Sequence, residues 1–208
     1  MILDLLKKRY SVRDFLDKPV PDEIVREMLE AARLSPSGGN EQAWAFGVVA
    51  DKELIARIAA FSYYNKDWIE KAPLIVALCT RITEPFSVCK KRFPGLEDTN
   101  IGDAGVELCT FAYMEEHQIK IPGTQMAMAA LEHGVGCTWI SHYSVTEVAK
   151  VLKLPQHYLP SNLLAFGYPL ADNPNKSRNT PGKREINDIV FYNSGENLPP
   201  ADTVPHWS

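Results

Sequence analysis

The chain has 208 residues, of which 45% are hydrophobic and 23% charged, and its formal net charge is −4. These values predict one folded domain with a core of its own, and they argue against extensive disorder and against a general nucleic-acid-binding surface. The first ten residues are too few and too charged for a signal peptide, and no apolar run approaches the ~20 residues that span a bilayer. We therefore expect a cytoplasmic protein that neither crosses a membrane nor binds nucleic acid.

The first half of the chain predicts three helices and two strands. The helices cover residues 1–10, 21–34 and 51–61, and the strands cover residues 43–50 and 73–80. Pro21 suits a first helical position, and the run that starts at Ser35-Pro36 is a strong helix breaker. The second strand is continuously apolar, which is typical of a strand covered on both faces.

The second half predicts further helices and strands around a long irregular stretch. Residues 81–102 are irregular, and we expect a lid or insertion over residues 81–122. Helices are predicted over residues 103–117 and 123–133 and after the capping box Ser144–Glu147, and strands over residues 137–141, 163–168 and 186–192. The result is a mixed α/β domain, and periodicity alone leaves the strand orientation open.

Several well-known motifs are absent. Gly134-Val-Gly136 resembles the start of a dinucleotide fingerprint, but Trp139 stands where the third glycine belongs, and the segment follows a helix instead of a strand. We interpret Gly134 as a helix C-cap. The four cysteines include no C-x-x-C pair and the five histidines no metal-ligand spacing, so we expect buried reduced thiols and no metal site.

Two basic clusters lie near opposite ends of the chain. Arg9, Ser11 and Arg13 alternate, so an extended backbone would point all three side chains the same way. Two guanidiniums and a hydroxyl together suit a phosphate monoester. The second cluster comprises Lys176, Arg178, Lys183 and Arg184. Either cluster alone is also compatible with a solvated charged face.

Taken in order, five segments resemble the FMN-binding nitroreductase family, which includes flavin reductases and iodotyrosine deiodinase-like enzymes. The R-x-S-x-R-x-F pattern is Arg9–Phe15, and P-V-P-x-E is Pro19–Glu23. The S-P-S-x-x-N-x-Q-x-W loop occupies residues 35–44, with Ala43 in place of the usual proline. Residues 124–141 resemble the family's late helix and strand, and Gly167-Tyr-Pro169 with the second basic cluster closes the pattern.

The resemblance implies an α+β fold in which a central, mainly antiparallel sheet is flanked by helices. It also implies a domain-swapped homodimer with one FMN in each of two interface clefts. Residues 1–193 would then form one FMN-binding domain. The proline-rich tail, residues 194–208, would lie on the partner subunit or be disordered.

The resemblance also implies roles for particular residues. The FMN phosphate and ribityl chain would be held by Arg9, Tyr10, Ser11, Arg13, Lys176 and Arg178, with Lys183 and Arg184 as alternatives to the last pair. The isoalloxazine ring would be lined by Pro36, Ser37, Gly38, Gly39, Asn40 and Gln42, and the region near flavin N5 by Ile140, Ser141 and His142. No protein nucleophile, acid or base is expected, because the flavin carries the redox chemistry.

The implied activity is transfer of electrons from NAD(P)H through FMN to a small flat acceptor, such as a nitroaromatic or a quinone, in two half-reactions. Two alternatives stay open: a reductive dehalogenase-like flavoenzyme, and a non-catalytic FMN-binding or storage protein. Candidate aromatic contacts for the acceptor are Tyr63, Tyr64, Phe86, Phe93, Phe111 and Tyr113.

Overall fold

The computed structural model describes residues 2–81, 118–170 and 189–190. The chain divides into two compact units, residues 1–173 and residues 174–208. The second unit is described only at Ile189 and Val190, which are exposed and have turn and irregular backbone, so the predicted strand over residues 186–192 is wrong at these two positions. No helix in the described part of the chain is long and apolar enough to cross a membrane.

Several predictions fall outside the described residues, wholly or for the greater part. They are the lid over residues 81–122, the helix over residues 103–117, the strand over residues 186–192, the aromatic candidates Phe86, Phe93, Phe111 and Tyr113, the basic residues Lys176, Arg178, Lys183 and Arg184, and the tail over residues 194–208. Both ends of the predicted range 81–122 belong to regular elements, since Arg81 ends a strand and Lys120 begins a helix.

The first unit is built from six described helices and four described strands. The helices are α1 (Ile2–Lys8), α2 (Asp22–Arg33), α3 (Lys52–Ala60), α4 (Lys66–Ile69), α5 (Lys120–Glu132) and α6 (Val145–Val151). The strands are β1 (Trp44–Val49), β2 (Leu74–Arg81), β3 (Gly136–Ile140) and β4 (Tyr158–Gly167). Single 3-10 turns cover Gly38–Asn40 and Tyr63–Asn65.

The described strands form one antiparallel sheet in the order β1-β2-β4-β3. Strands β1 and β3 therefore lie at opposite edges. The first seven residues of β2 are buried, which confirms the prediction of a strand covered on both faces. The antiparallel orientation agrees with the resemblance and answers the question that periodicity left open.

Helices cover both faces of the sheet. In one apolar cluster, helices α3, α4 and α6 pack against alternate residues of β2 and β4, such as Ile75 and Leu163. The other cluster joins α2 and α5 to the intervening strand residues, such as Val76 and Leu164. Because side chains of a strand alternate between faces, β2 and β4 contribute to both clusters. The core is therefore a three-layer packing of helices, sheet and helices.

Local sequence signals account for several helix ends. The Ser144 side chain accepts a hydrogen bond from the Glu147 amide, which confirms the predicted cap of α6. Gly134 has a φ of 70° just after α5, which confirms its role in ending that helix. In α2 the predicted apolar stripe is buried at Ile24, Met28 and Ala32.

Two boundaries differ from the sequence prediction. Strand β4 begins at Tyr158 and not at residue 163; Pro160 lies there at a register shift between β2 and β4, a position where a proline is tolerated. Helix α5 begins at Lys120 and not at residue 123, because Pro122 lies in the first turn, where its missing amide hydrogen costs nothing.

Candidate functional site

The basic segment, residues 9–13, lies beside β3 at the edge of the sheet. Ser11 forms a parallel bridge with Cys137, and the Val12 amide donates to the Cys137 carbonyl oxygen at 3.3 Å. Val12 is buried, while Arg9, Ser11 and Arg13 are each partly exposed. The backbone thus buries one side of the segment and leaves the three phosphate-binding candidates partly open to solvent, as their alternation in the sequence predicts.

A close backbone packing holds the basic segment in place. The space beside Gly136 in β3 is filled by the Val12 side chain, and a Cβ atom at residue 136 would overlap with Val12 Cγ2. The Thr138 hydroxyl donates to the Val12 carbonyl oxygen. Gly136 is therefore required for the approach of the segment to β3.

The aromatic segment, residues 63–69, contacts the basic segment through a cation–π interaction. The guanidinium carbon of Arg13 lies 5.8 Å from the centre of the Trp68 ring. The Trp68 indole in turn donates to Asn65 Oδ1 at 3.2 Å. The sequence alone does not indicate this role of Trp68, because the contact joins residues far apart in the chain.

The strand-end segment, residues 140–142, contacts the same aromatic segment. Ile140 is buried, whereas Ser141 and His142 are exposed just after the end of β3. His142 Nε2 lies 2.9 Å from the Tyr64 hydroxyl oxygen, and the rings of Tyr63 and His142 meet edge to face, with their centres 5.6 Å apart. Side chains of the basic and strand-end segments therefore contact one short stretch of helix.

The glycine loop, residues 35–43, lies before β1 and is joined to the start of α5. The Ser35 hydroxyl donates to Gln125 Oε1 at 2.6 Å, and the Gly38 amide donates to Gln118 Oε1 at 2.8 Å. Within the loop, the Gln42 amide donates to the Ser37 hydroxyl at 3.0 Å. Residues 36 and 38–42 are exposed, so their backbone and side chains face solvent.

The backbone of the glycine loop has left-handed φ values at two residues other than glycine, and it is strained at Gln42. Asn40 has a φ of 57° and Gln42 a φ of 48°, in the left-handed region that side chains other than asparagine and aspartate rarely adopt. Gly39, directly before Asn40, has a φ of 57° and adopts it without strain. Strain of this kind is concentrated at ligand-binding sites in proteins.

The structure therefore brings two of the three predicted segments to common neighbours and leaves the third apart. The basic and strand-end segments lie at β3, whereas the glycine loop leads into β1 at the opposite edge. Three strand spacings separate these edges, which is about 14 Å. Within one chain the glycine loop and the basic segment thus lie at opposite edges of the sheet.

Burial controls the chemistry of the two described cysteines. It raises the pKa of Cys79 to about 11, and it raises the pKa of Cys137 to about 12 against a smaller lowering by the nearby Arg9 guanidinium. Both thiols are therefore protonated and inert near neutral pH, as the sequence predicted for buried cysteines. Among the residues that the structure describes, no group of histidine, cysteine or acidic side chains is arranged to hold a metal ion.

Two open cavities of about 330 and about 440 Å³ lie elsewhere, along α3 and α6. They share Arg57 and Val151 and include no residue of the three predicted segments. These grooves are therefore separate from the candidate site.

Comparisons with known proteins agree with the motifs and the fold. Residues 6–65 match the model of the nitroreductase family. The chain is 46% identical over 78 residues to the oxygen-insensitive NADPH nitroreductase of Helicobacter acinonychis, a match that covers 36% of this chain and 37% of the relative. It is 27% identical over 206 residues to the FMN reductase [NAD(P)H] of Bacillus subtilis, covering 94% of this chain and 76% of the relative.

A solved structure extends the likeness over the whole fold. The nitroreductase family protein from Streptococcus pneumoniae superimposes with a TM-score of 0.72 at 24% identity, covering 92% of this chain and 100% of that one. The N-terminal family match includes the basic segment and the glycine loop, and the structural likeness covers the sheet that carries them. Residues 6–65 of this chain thus resemble the nitroreductase family, and the chain shares the fold of a nitroreductase family structure.

Proposed function

We propose that the protein is an FMN-dependent oxidoreductase that takes electrons from NAD(P)H and passes them to a small flat acceptor, a nitroaromatic or a quinone, in two half-reactions. The general activity and the cofactor are supported by the match of residues 6–65 to the nitroreductase family and by the B. subtilis relative named as an FMN reductase. The acceptor class and the residue roles are our proposal. The observation that carries them is the meeting of the basic and strand-end segments at the aromatic segment.

The donor set of the basic segment fits the FMN phosphate. Arg9 and Arg13 offer guanidinium hydrogens and Ser11 a hydroxyl, and all three side chains are partly exposed along one stretch of backbone. Guanidiniums bind phosphate oxygens in pairs of charge-assisted hydrogen bonds. Stacking on Trp68 restricts the orientation of Arg13 before the phosphate arrives, which lowers the entropic cost of binding.

The glycine loop and the strand-end segment fit the flavin ring. The amides of Asn40 and Gln42 provide donors and acceptors for the pyrimidine edge, and Pro36, Ser37, Gly38 and Gly39 let the ring approach the backbone. Ser141 and its neighbours Ile140 and His142 would border flavin N5. Bound FMN supplies the electron transfer, while these residues orient it and exclude water.

A homodimer would bring a glycine loop and a basic segment together in one flavin site. Since the glycine loop and the basic segment lie at opposite edges of one sheet, we propose that the loop of one subunit completes the flavin site of its partner. The surface of α1 supports an interface, because none of its residues is buried within the chain. Ile2, Leu3 and Leu6 are 70%, 55% and 44% exposed, and burying such a patch favours association.

The experiment is an anaerobic titration of the FMN-loaded protein. The flavin absorbance should disappear on addition of NADH or NADPH and return on addition of a quinone or a nitroaromatic. Loss and recovery in separate steps would support two half-reactions. A protein that retains FMN but is not reduced by either nucleotide would refute the enzyme and leave the storage alternative. The cytoplasmic location stays a prediction.

A further inference from the structure

FMN binding alone does not require the hydrogen bond between the side chains of His142 and Tyr64. His142 is exposed directly after Ser141, and its Nε2 atom lies 2.9 Å from the Tyr64 hydroxyl oxygen. The contact is anchored from both sides. The Ser144 amide donates to the Phe61 carbonyl oxygen at 2.9 Å, and the hydroxyl of the buried Tyr143 donates to the Pro160 carbonyl oxygen at 2.5 Å.

The rings around His142 hold it in one orientation. Tyr63 meets the imidazole edge to face at an interplanar angle of 84°, and the Tyr64 ring centre lies 5.0 Å from it. Tyr63 has a φ of 49°, a strained value for a bulky residue. Tyr63 and Tyr64 are nevertheless 58% and 78% exposed, so the three rings form an aromatic surface open to a ligand.

The Tyr64 hydroxyl can pair with Nε2 either as donor or as acceptor. In the protonated ring both nitrogens carry a hydrogen, so Nε2 donates to the Tyr64 oxygen and Nδ1 is a second donor, directed away from Tyr64. Loss of the proton from Nδ1 leaves a neutral ring whose remaining hydrogen is on Nε2 and still donates to Tyr64.

The proposed reduction of a nitroaromatic needs such a donor. Converting a nitro group to a nitroso group takes one hydride and one proton; one N–O bond breaks, and the oxygen leaves as water with both hydrogens. Under the proposed function bound FMN would supply the hydride, so the residues of the site or solvent have to provide the proton. An acid positioned at the leaving oxygen accelerates such a step.

We infer that protonated His142 donates this proton from Nδ1 to the departing oxygen of the acceptor and becomes neutral, and that Tyr64 is a positioning residue that accepts the hydrogen of Nε2. His142 regains its proton from solvent, to which it is exposed. The inference rests on the proposed function, since it adds a proton donor to the same site. It assigns a chemical role to a residue that the family resemblance places only near the flavin.

The test compares two acceptors that differ in their need for a proton. Ferricyanide takes one electron and no proton, whereas 4-nitrobenzoate takes a proton at each two-electron step. The pre-reduced FMN-loaded protein is mixed with each acceptor, and the ratio of the two reoxidation rates is measured. The ratio of nitrobenzoate to ferricyanide rates should fall about 100-fold in His142→Asn and about 10-fold in Tyr64→Phe.

A matched control is available in the same chain. His157 is exposed, and its ring centre lies 4.8 Å from that of Tyr158, outside the candidate site. His157→Asn should leave the ratio unchanged. A ratio in His142→Asn equal to that of the wild type would overturn the inference even if the wild type is an active FMN enzyme.

A second readout requires no turnover. Nitrogen-15 NMR of the histidine rings should assign the hydrogen of neutral His142 to Nε2, and Tyr64→Phe should shift the equilibrium toward Nδ1. A wild-type neutral ring with its hydrogen on Nδ1 would contradict the role of Tyr64. If the wild type accepts no electrons from NAD(P)H, the proposed function fails separately, and the NMR result still decides the tautomer.

Discussion

The Gly38 amide and the Gln118 side chain are joined by a hydrogen bond of 2.8 Å, although 80 residues separate them in the chain. This bond fixes the exposed glycine loop to the residues just before α5. The adjacent bond from Ser35 to Gln125 Oε1, at 2.6 Å, reinforces the attachment at the base of the loop. The loop that we assign to the flavin ring is therefore positioned by the helix.

Replacing Gln118 by alanine should weaken FMN binding more than it weakens folding. The freed Gly38 amide is exposed and can bond to water, so the free energy of unfolding should fall by about 1 kcal/mol or less. A glycine loop that is no longer fixed loses more conformational entropy when it binds FMN, and we therefore expect the Kd for FMN to rise about 5-fold. Quenching of FMN fluorescence measures this. Glu132→Ala, an exposed change at the far end of α5, should leave the Kd unaltered.

Replacing Gly136 by alanine should displace the basic segment. The new methyl group overlaps with Val12 Cγ2, and overpacking of this kind costs about 1–3 kcal/mol of stability. FMN affinity should fall as well, because Val12 lies between Ser11 and Arg13. Urea unfolding and FMN titration provide the two readouts.

The Val12→Ala/Gly136→Ala double variant tests whether this overlap causes the loss of stability. Val12→Ala removes the Cγ atoms with which the new methyl group at residue 136 would overlap. The stability loss of the double variant should be smaller than the sum of the two single losses. Strict additivity would show that the contact between Val12 and Gly136 does not limit the approach of the segment.

Replacing Trp68 by leucine should reduce FMN affinity through Arg13. The cation–π contact across 5.8 Å contributes about 0.5–1 kcal/mol, which corresponds to a rise of about 2- to 5-fold in the Kd for FMN. Trp68→Phe keeps a ring under the guanidinium and should show a smaller rise. An unchanged Kd in a normally folded Trp68→Leu variant would separate Trp68 from the phosphate site.

Stability should decline in alkali partly through the two described cysteines. Burial raises the pKa of Cys79 to about 11 and that of Cys137 to about 12, above the ordinary value of 9.0. The folded state thus retains these protons while the unfolded state loses them. The contribution to stability is complete below pH 9.0 and declines by about 1 kcal/mol per thiol per pH unit as the pH rises toward the folded values.

Urea unfolding at about pH 8 and about pH 10 checks the alkaline decline. The Cys79→Ala/Cys137→Ala variant serves as the reference, since every other titrating group is shared. Its stability should decline less steeply with pH than that of the wild type. Equal slopes for the two proteins would mean that the thiols titrate normally in the folded state.

Local signals in the sequence predict most of the described fold. Pro21, the apolar stripe of α2 and the Ser144 cap fix helix positions within a few residues, because these signals act within one or two turns. The continuous apolar run over residues 73–80 likewise predicts the buried strand β2. The start of β4 was missed because Pro160, Ser161 and Asn162 look like a loop, although Asn162 is buried and Ser161 bonds to Thr80 at 2.7 Å.

The sequence predicts the three segments of the candidate site but not how they are arranged in space. Motif order indicates the basic segment, the glycine loop and the strand-end segment, and the structure adds that only the first and last share neighbours. The roles of Trp68 and Gln118 depend on contacts between distant residues, which no local pattern encodes. Tyr64 was a candidate aromatic contact, but its bond to His142 is visible only in three dimensions.

The most direct test of the account is the visible absorption spectrum of the protein after mixing with FMN and desalting, measured for the wild type and for Arg9→Ala/Arg13→Ala. We predict flavin bands near one FMN per subunit in the wild type. The double variant should lose most of the flavin, since each arginine provides charge-assisted bonds of about 1.5–3 kcal/mol. A colourless wild type that does not quench FMN fluorescence would contradict the central claim. Full retention of FMN by the double variant would exclude the basic segment from the phosphate site.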